Sequence, residues 1–413
     1  MTSSLGALAL VLACGLAGPL LAGASRNLIP LVIGEIVAGV VIGVSGFGIV
    51  DPTDPPLALL ETVGFATLMF AVGMRIPLHD RRLRGALGRG ALAAGAGIAA
   101  AIPAGIAAAA IAGTSHAALL AVVLASSSAA VALPILSEHG LVAAETLPLI
   151  AQITIADIAA VLAVPFVVQP DQAGKVALAS LAVAAAAVVF FAAMRLLLGI
   201  DWYRWLRRQS KERGWALDLR VALAALVGLA WLAQDLGTSV LIAGFGTGLI
   251  VAAIGGPERL SLEVRGVGEG FLVPLFFVLL GAKLNVRELF SDPSNLALAA
   301  SMAALNVGVH QVAAVVSRQR PAAGLVATAE LGVPAAVVAL GLSGNVINAG
   351  QGAAIVAAAL VSVGVCAAGA HLLSRRARAT GTFGGDADAL IRPREGAVGQ
   401  VRRTKTKKRR FTA

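Results

Sequence analysis

The sequence predicts an all-α polytopic membrane protein of about thirteen transmembrane helices, with two interrupted helices and an inverted repeat. Three observations carry that expectation. Mean hydropathy over the 413 residues is +0.88 and only 13% of them are charged, a balance that one soluble core of this size would not bury. Apolar windows of about 20 residues recur along the chain, and their continuity excludes an outer-membrane barrel, whose strands alternate over roughly ten residues. Polar and proline residues interrupt two of the windows.

The windows fall near 5–23, 28–47, 57–74, 90–112, 115–136, 146–168, 174–199, 216–233, 236–254, 266–282, 295–317, 321–342 and 349–373. Small residues such as Gly34, Gly39 and Gly43 suit close helix approach. Leu5 to Leu21 is apolar, but the preceding MTSS lacks a positive side chain, so a retained span rather than a cleaved signal is expected. Cys14 and Cys366 lie in spans at opposite ends of the chain, which indicates neither a disulfide framework nor a zinc site.

Charge orients the spans. Arg26, then Arg75, Arg81, Arg82, Arg84 and Arg89, then Arg204 to Arg213, then Arg259 and Arg265, then Arg318 and Arg320 follow alternate windows. The opposite turns hold little beyond Lys175, Lys283 and Arg287. The positive-inside rule then places the N-terminus outside and the C-terminus in the cytoplasm of a multi-pass cell-membrane protein. The net charge of +10 therefore reports topology and contact with membrane lipid rather than nucleic acid. Trp202, Tyr203 and Trp205 read as interfacial anchors. Residues 1–378 form the membrane domain, and 379–413, rich in glycine and charge, read as a disordered basic cytoplasmic tail.

Asp157 is the one acid inside the apolar stretch 151–165. A carboxylate at membrane depth is costly and marks an ion or proton pathway, unless it only holds a neighbouring helix. The window before it contains Ser126, Ser127, Ser128 and Pro134, and the twelfth contains Thr328, Glu330, Gly332 and Pro334. Both read as interrupted helices, against the plainer reading of serines bonded to their own helix and a proline kink. The odd offset between these windows gives opposite orientations, so windows four to six and eleven to thirteen form an inverted repeat. Thr154 shares a helix face with Asp157, and Ser127, Ser128 and Thr154 are candidate auxiliary oxygen ligands. Glu61 and Asp218 fall near window ends, where solvated charge is unremarkable. No nucleophile–base or metal constellation suggests an enzyme, and no resident cofactor is expected.

IPLVIGEIVAGVVIG (29–43), LLETVGFATLMFAVGM (59–74), SSSAAVALPILSEHG (126–140), ADI (156–158), FGTGLI (245–250) and PLFFVLLGAKLN (274–285) occur in this order. Together they resemble the second family of monovalent cation:proton antiporters, which includes sodium/proton exchangers and potassium-efflux antiporters. The resemblance implies the sodium/proton antiporter fold, with two interrupted helices crossing beside a required aspartate, at the position of Asp157. It implies a core of about 90–168 and 295–373, a dimer panel of about 5–74 and 216–282, and a homodimer. Electrogenic members carry two adjacent acids, whereas Ala156 precedes Asp157. One proton for one Na+ or K+, held in turn by Asp157, is the exchange then expected, with a K+ efflux channel or uniporter-like protein of the same fold as the alternative. Relatives often carry a basic residue in the window 295–317, which here lacks lysine. His310 lies near that point, either pairing with Asp157 or hydrogen-bonded within the bundle. Glu330 is a candidate pathway or tuning residue. Glu35 matches the family's GE dipeptide and is expected to make a structural hydrogen bond or to sit at a cytoplasmic end.

Overall fold

Apolar runs rich in Ala and Leu become long helices, because these residues lose little conformational freedom in a helix and a bilayer leaves no other partner for the backbone. A computed structural model describes residues 4–24, 31–74, 81–141, 144–254, 263–264 and 266–380. Among them there is no strand. The chain opens with α1 (Ser4–Gly15), α2 (Ala17–Ala24), α3 (Leu31–Ile42) and α4 (Pro55–Met74). Next come α5 (Arg81–Ala112), α6 (Ala117–Ala125), α7 (Ala129–Glu138) and α8 (Leu147–Val168). After α9 (Ala173–Gly199) and α10 (Asp201–Arg213) follow α11 (Leu217–Asp235) and α12 (Val240–Ile254). A π-helical turn, Gly268–Leu272, leads into α13 (Val273–Lys283), and the short α14 (Val286–Ser291) precedes α15 (Pro293–Val316). The last three are α16 (Pro321–Ala327), α17 (Gly332–Ser343) and α18 (Ala349–Thr380).

Nine helical segments among the described residues are long and apolar enough to cross a bilayer, and Leu31–Ile42 and Val240–Ala253 are shorter apolar helices. Thirteen spans are not established by that measure, because breaks divide some expected windows into shorter pieces. The tail beyond Thr380 lies outside the described residues, as do Arg26, Arg75, Arg259 and Arg265. Helix α18 continues through residues 379–380, which the sequence reading had assigned to the tail.

Two groups of helices pack among themselves. In one, α4 lies along α12, α3 along α13, and α11 against α12. In the other, α5 packs against α6, α8 and α15, while α18 contacts α15 and α16. Small residues set the separations in the first group. A Cβ on Gly39 would come within 2.0 Å of the Val278 carbonyl oxygen, and one on Gly281 within 2.2 Å of that of Ile36. Backbones so close admit no side chain between them. Large apolar side chains such as Leu5, Leu178 and Leu196 stay exposed on outward surfaces, as lipid contact requires.

Several features differ from the sequence reading. Helix α5 already includes Arg81, ahead of the apolar window expected from about 90. The basic stretch after α9 forms the amphipathic helix α10, stopped by Gly214 at φ 72°. Its period turns Tyr203 inward while Trp202 and Trp205 stay exposed. Arg207 on α10 holds Asp218 through two bonds of 2.7 and 3.0 Å, and Ser210 Oγ accepts from the Leu217 N–H. This paired Asp218 is not the merely solvated charge expected from its place in the sequence.

Candidate functional site

Two helices break at the centre of the second group. Between α6 and α7 the residues Ser126–Ser128 leave helical geometry, and between α16 and α17 the residues Thr328–Leu331 do the same. Pro134 lies inside α7 rather than at the break, so it does not cause the interruption. Pro334 occupies the first turn of α17, where its missing N–H costs no hydrogen bond.

The two breaks satisfy each other's backbone. The Ser128 N–H donates to the Ala329 carbonyl at 2.5 Å. Ser127 Oγ donates to the Ala327 carbonyl at 2.7 Å. Ser126 Oγ donates to Glu330 Oε2 at 3.2 Å. The Ser126 and Ser127 hydroxyls and the Ser128 N–H thus reach the other break, so these two hydroxyls do not bond back to their own helix. Irregular backbone at membrane depth survives because these cross-bonds replace the missing helical ones.

Asp157 sits on α8 beside this junction and is 7% exposed. The Ala129 N–H, in the first turn of α7, lies 3.4 Å from its Oδ2. The free N–H groups and dipole of a helix start favour negative charge there. Among the described residues no ion pair reaches Asp157. Thr154 is buried one turn before it, but its hydroxyl donates to the Ile150 carbonyl at 2.9 Å, leaving only its lone pairs for a cation. Ala156 is buried at 3% exposure and adds no polar atom.

Helix α15 supplies the other side of the junction. His310 Nε2 donates to the Ser126 carbonyl at 3.1 Å, and its buried Nδ1 has no partner among the described residues. The imidazole is therefore tied into the bundle at the first break, and no hydrogen bond joins it to Asp157. One turn earlier, Asn306 Nδ2 donates to the Thr328 carbonyl at 3.0 Å and to Glu330 Oε1 at 3.1 Å. The Glu330 N–H donates to Ser362 Oγ on α18 at 3.2 Å. Glu330, 1% exposed, is thus held by Ser126 and Asn306.

Asn306 and Ser362 were missed by the sequence reading. A polar residue in the middle of an apolar window was the available signal for both. Glu61, expected to be a solvated charge near a window end, is 6% exposed inside α4 and receives a 2.6 Å bond from Lys283 Nζ on α13. Its partner is 222 residues away in the chain, beyond any local pattern. Glu35, expected to make a structural hydrogen bond or to sit at a cytoplasmic end, is buried, and among the described residues its Oε2 has no hydrogen-bond partner.

The transmembrane sodium/hydrogen exchanger family matches residues 8–372, nearly the whole helical region. The chain belongs to that family. It is 26% identical over 307 residues to the putative Na(+)/H(+) antiporter YjbQ of Bacillus subtilis strain 168, covering 70% of this chain and 49% of that protein. It is 28% identical over 270 residues to the Na(+)/H(+) antiporter NhaS5 of Synechocystis, covering 63% and 37%. The chain thus spans half or less of the length of the curated relatives it matches. Its fold is similar to that of the sodium proton antiporter MjNhaP1 from Methanocaldococcus jannaschii, with a TM-score of 0.57 over 91% of this chain and 97% of that one, at 14% identity. At that identity the likeness speaks for the fold, which is the antiporter fold expected from the sequence.

Proposed function

We propose that the exchanger swaps protons for Na+ or K+ one for one, with Asp157 binding proton and cation in competition. The observation that carries this reading is a buried carboxylate at the junction of two helix breaks, without an ion-pair partner among the described residues. An oxygen anion there attracts either a proton or an alkali cation, and each excludes the other. Mutual exclusion couples the two fluxes. Ser127, Ser128 and Thr154 are the proposed auxiliary oxygens, supplemented by carbonyls freed at the breaks.

The group containing α5, α6, α8, α15, α16 and α18 is the proposed moving core. The group containing α3, α4, α11, α12 and α13 is the proposed panel against which it moves, and through which two copies associate in the cell membrane. The close glycine packing of α3 on α13 supports a rigid panel.

Ala156 supports the stoichiometry, because the helix offers one acid at this point rather than two. Purified protein in vesicles with an internal pH dye, pulsed with Na+, K+ or Li+, tests the reading. Dissipation of a pH gradient by Na+ or K+ supports antiport. Cation flux without proton counterflow would favour a channel or uniporter. Strong dependence of the exchange rate on a clamped membrane potential would contradict the one-for-one ratio.

A further inference from the structure

A second polar feature lies at the end of the bundle where α8 begins and α15 turns into α16. A cavity of about 140 Å³ opens there, lined by Arg89, Arg318, Gln319, Arg320, Glu145 and Thr146 among others. That is several times the ~15 Å³ that one water needs by the same measure. Three arginines and one glutamate thus line the cavity. Arg89 is already committed: its guanidinium donates to the Ser317 and Arg318 carbonyls at 3.3 and 3.2 Å, closing the end of α15. Arg320 is only loosely held, with Glu145 3.8 Å away and both side chains about half exposed, 49% and 47%. A pair of that kind is weak and easily exchanged for a better anion.

The start of α8 adds to the positive character. Thr146 occupies its N-cap position and gives its hydroxyl to the Leu141 carbonyl at 2.5 Å. Thr146, Pro148 and Leu149 of that turn line the cavity. The positive end of the helix dipole and forked guanidinium donors around one space suit a tetrahedral oxyanion. The same charge would repel an alkali cation, so this mouth is poorly suited to collecting the transported ion.

We propose that this cavity binds a phosphate group, carried by an anionic phospholipid or by a soluble phosphate compound, between Arg318, Arg320 and the first turn of α8. Its position gives the ligand a hold on the transport machinery. Asp157 lies on the same helix, about 15 Å along the axis at 1.5 Å per residue. The α15–α16 turn leads directly into the helix that ends at the second break. A phosphate clasped between them ties the two supports of the ion-binding junction together.

The test uses the full chain, purified and stripped of lipid, with binding read by native mass spectrometry and by thermal shift. One arm titrates phosphatidylglycerol against a phosphatidylcholine control, and the other titrates inorganic pyrophosphate. Selective binding in the first arm identifies a lipid source, and binding in the second a soluble one. In whichever arm binds, Arg320→Gln should weaken the affinity about tenfold or more, as loss of a charged hydrogen-bond donor does. Glu145→Gln should tighten it, because a competing carboxylate is removed, and a misfolded variant would not bind more strongly. Absence of binding in both arms would overturn the proposal, as would binding that neither substitution alters.

Discussion

The Ala129 N–H points at the Asp157 carboxylate, 3.4 Å from Oδ2, so the start of α7 faces the one acid of α8. The same break that frees this N–H also sends Ser126, Ser127 and Ser128 across to the second broken helix. A single structural device therefore exposes polar backbone to the carboxylate and locks the two breaks together. Disturbing the lock and disturbing the carboxylate should have separable effects.

Ser127→Ala tests the lock. It leaves the Ala327 carbonyl without its 2.7 Å donor in a buried setting, a loss of about 1–3 kcal/mol. Thermal unfolding in detergent should show a lower midpoint. Ser127→Thr, which keeps the hydroxyl, should recover most of it.

Asn306→Ala removes two donors at once, those to the Thr328 carbonyl and Glu330. A drop in stability of about 1–3 kcal/mol is expected. Glu330→Gln in the same background should relieve part of that loss, since a neutral amide tolerates the missing donor better than a carboxylate. Additive effects of the two substitutions in a double-mutant cycle would show that the residues do not act together.

Gly39→Ala places a Cβ 2.0 Å from the Val278 carbonyl oxygen, so α3 and α13 must separate. Overpacking of this kind costs about 1–3 kcal/mol. The substitution lies away from Asp157, so it should lower thermal stability more than it changes the cation preference of any surviving activity. Unchanged thermal stability would mean that the two helices are not held as close as the packing indicates.

Asp292 offers a pH test outside the spans. It caps α15, accepting from Ser294 Oγ and the Ser294 N–H at 2.7 and 2.9 Å. The hydroxyl first and the backbone N–H second hold its pKa below the usual aspartate value. A lowered folded-state pKa means that the cap's contribution is fully present above the unfolded value and disappears as pH falls through the folded one. Asp292→Ala should thus lower the melting midpoint near neutral pH, and the gap from the parent should close in acid. A gap independent of pH would contradict the carboxylate cap.

Much of this arrangement was legible in the chain because bilayer physics leaves few choices. Asp157 stood out as a charge among apolar neighbours, and Ser126 to Ser128 and Thr328 to Glu330 marked places where helix bonds would fail. Local pattern could not name the partners across those breaks. The bonds from Asn306 to Glu330 and from Lys283 to Glu61 join residues distant in sequence, so only the packed helices bring them together. His310 shows the same limit: its window was legible, but its bond to the Ser126 carbonyl is set by how α15 crosses α6. Pro134, one of the residues that marked the fifth window as interrupted, lies inside α7, and the backbone leaves the helix at the serines before it.

The most direct measurement compares Asp157→Asn with the parent in vesicles carrying an internal pH dye. Asparagine preserves the side chain's shape but cannot exchange a proton for a cation at that position. The account predicts that Na+ and K+ pulses no longer dissipate the pH gradient in the variant, while its folding, read by thermal midpoint, survives. Exchange by a folded Asp157→Asn protein at the parent's rate would contradict it.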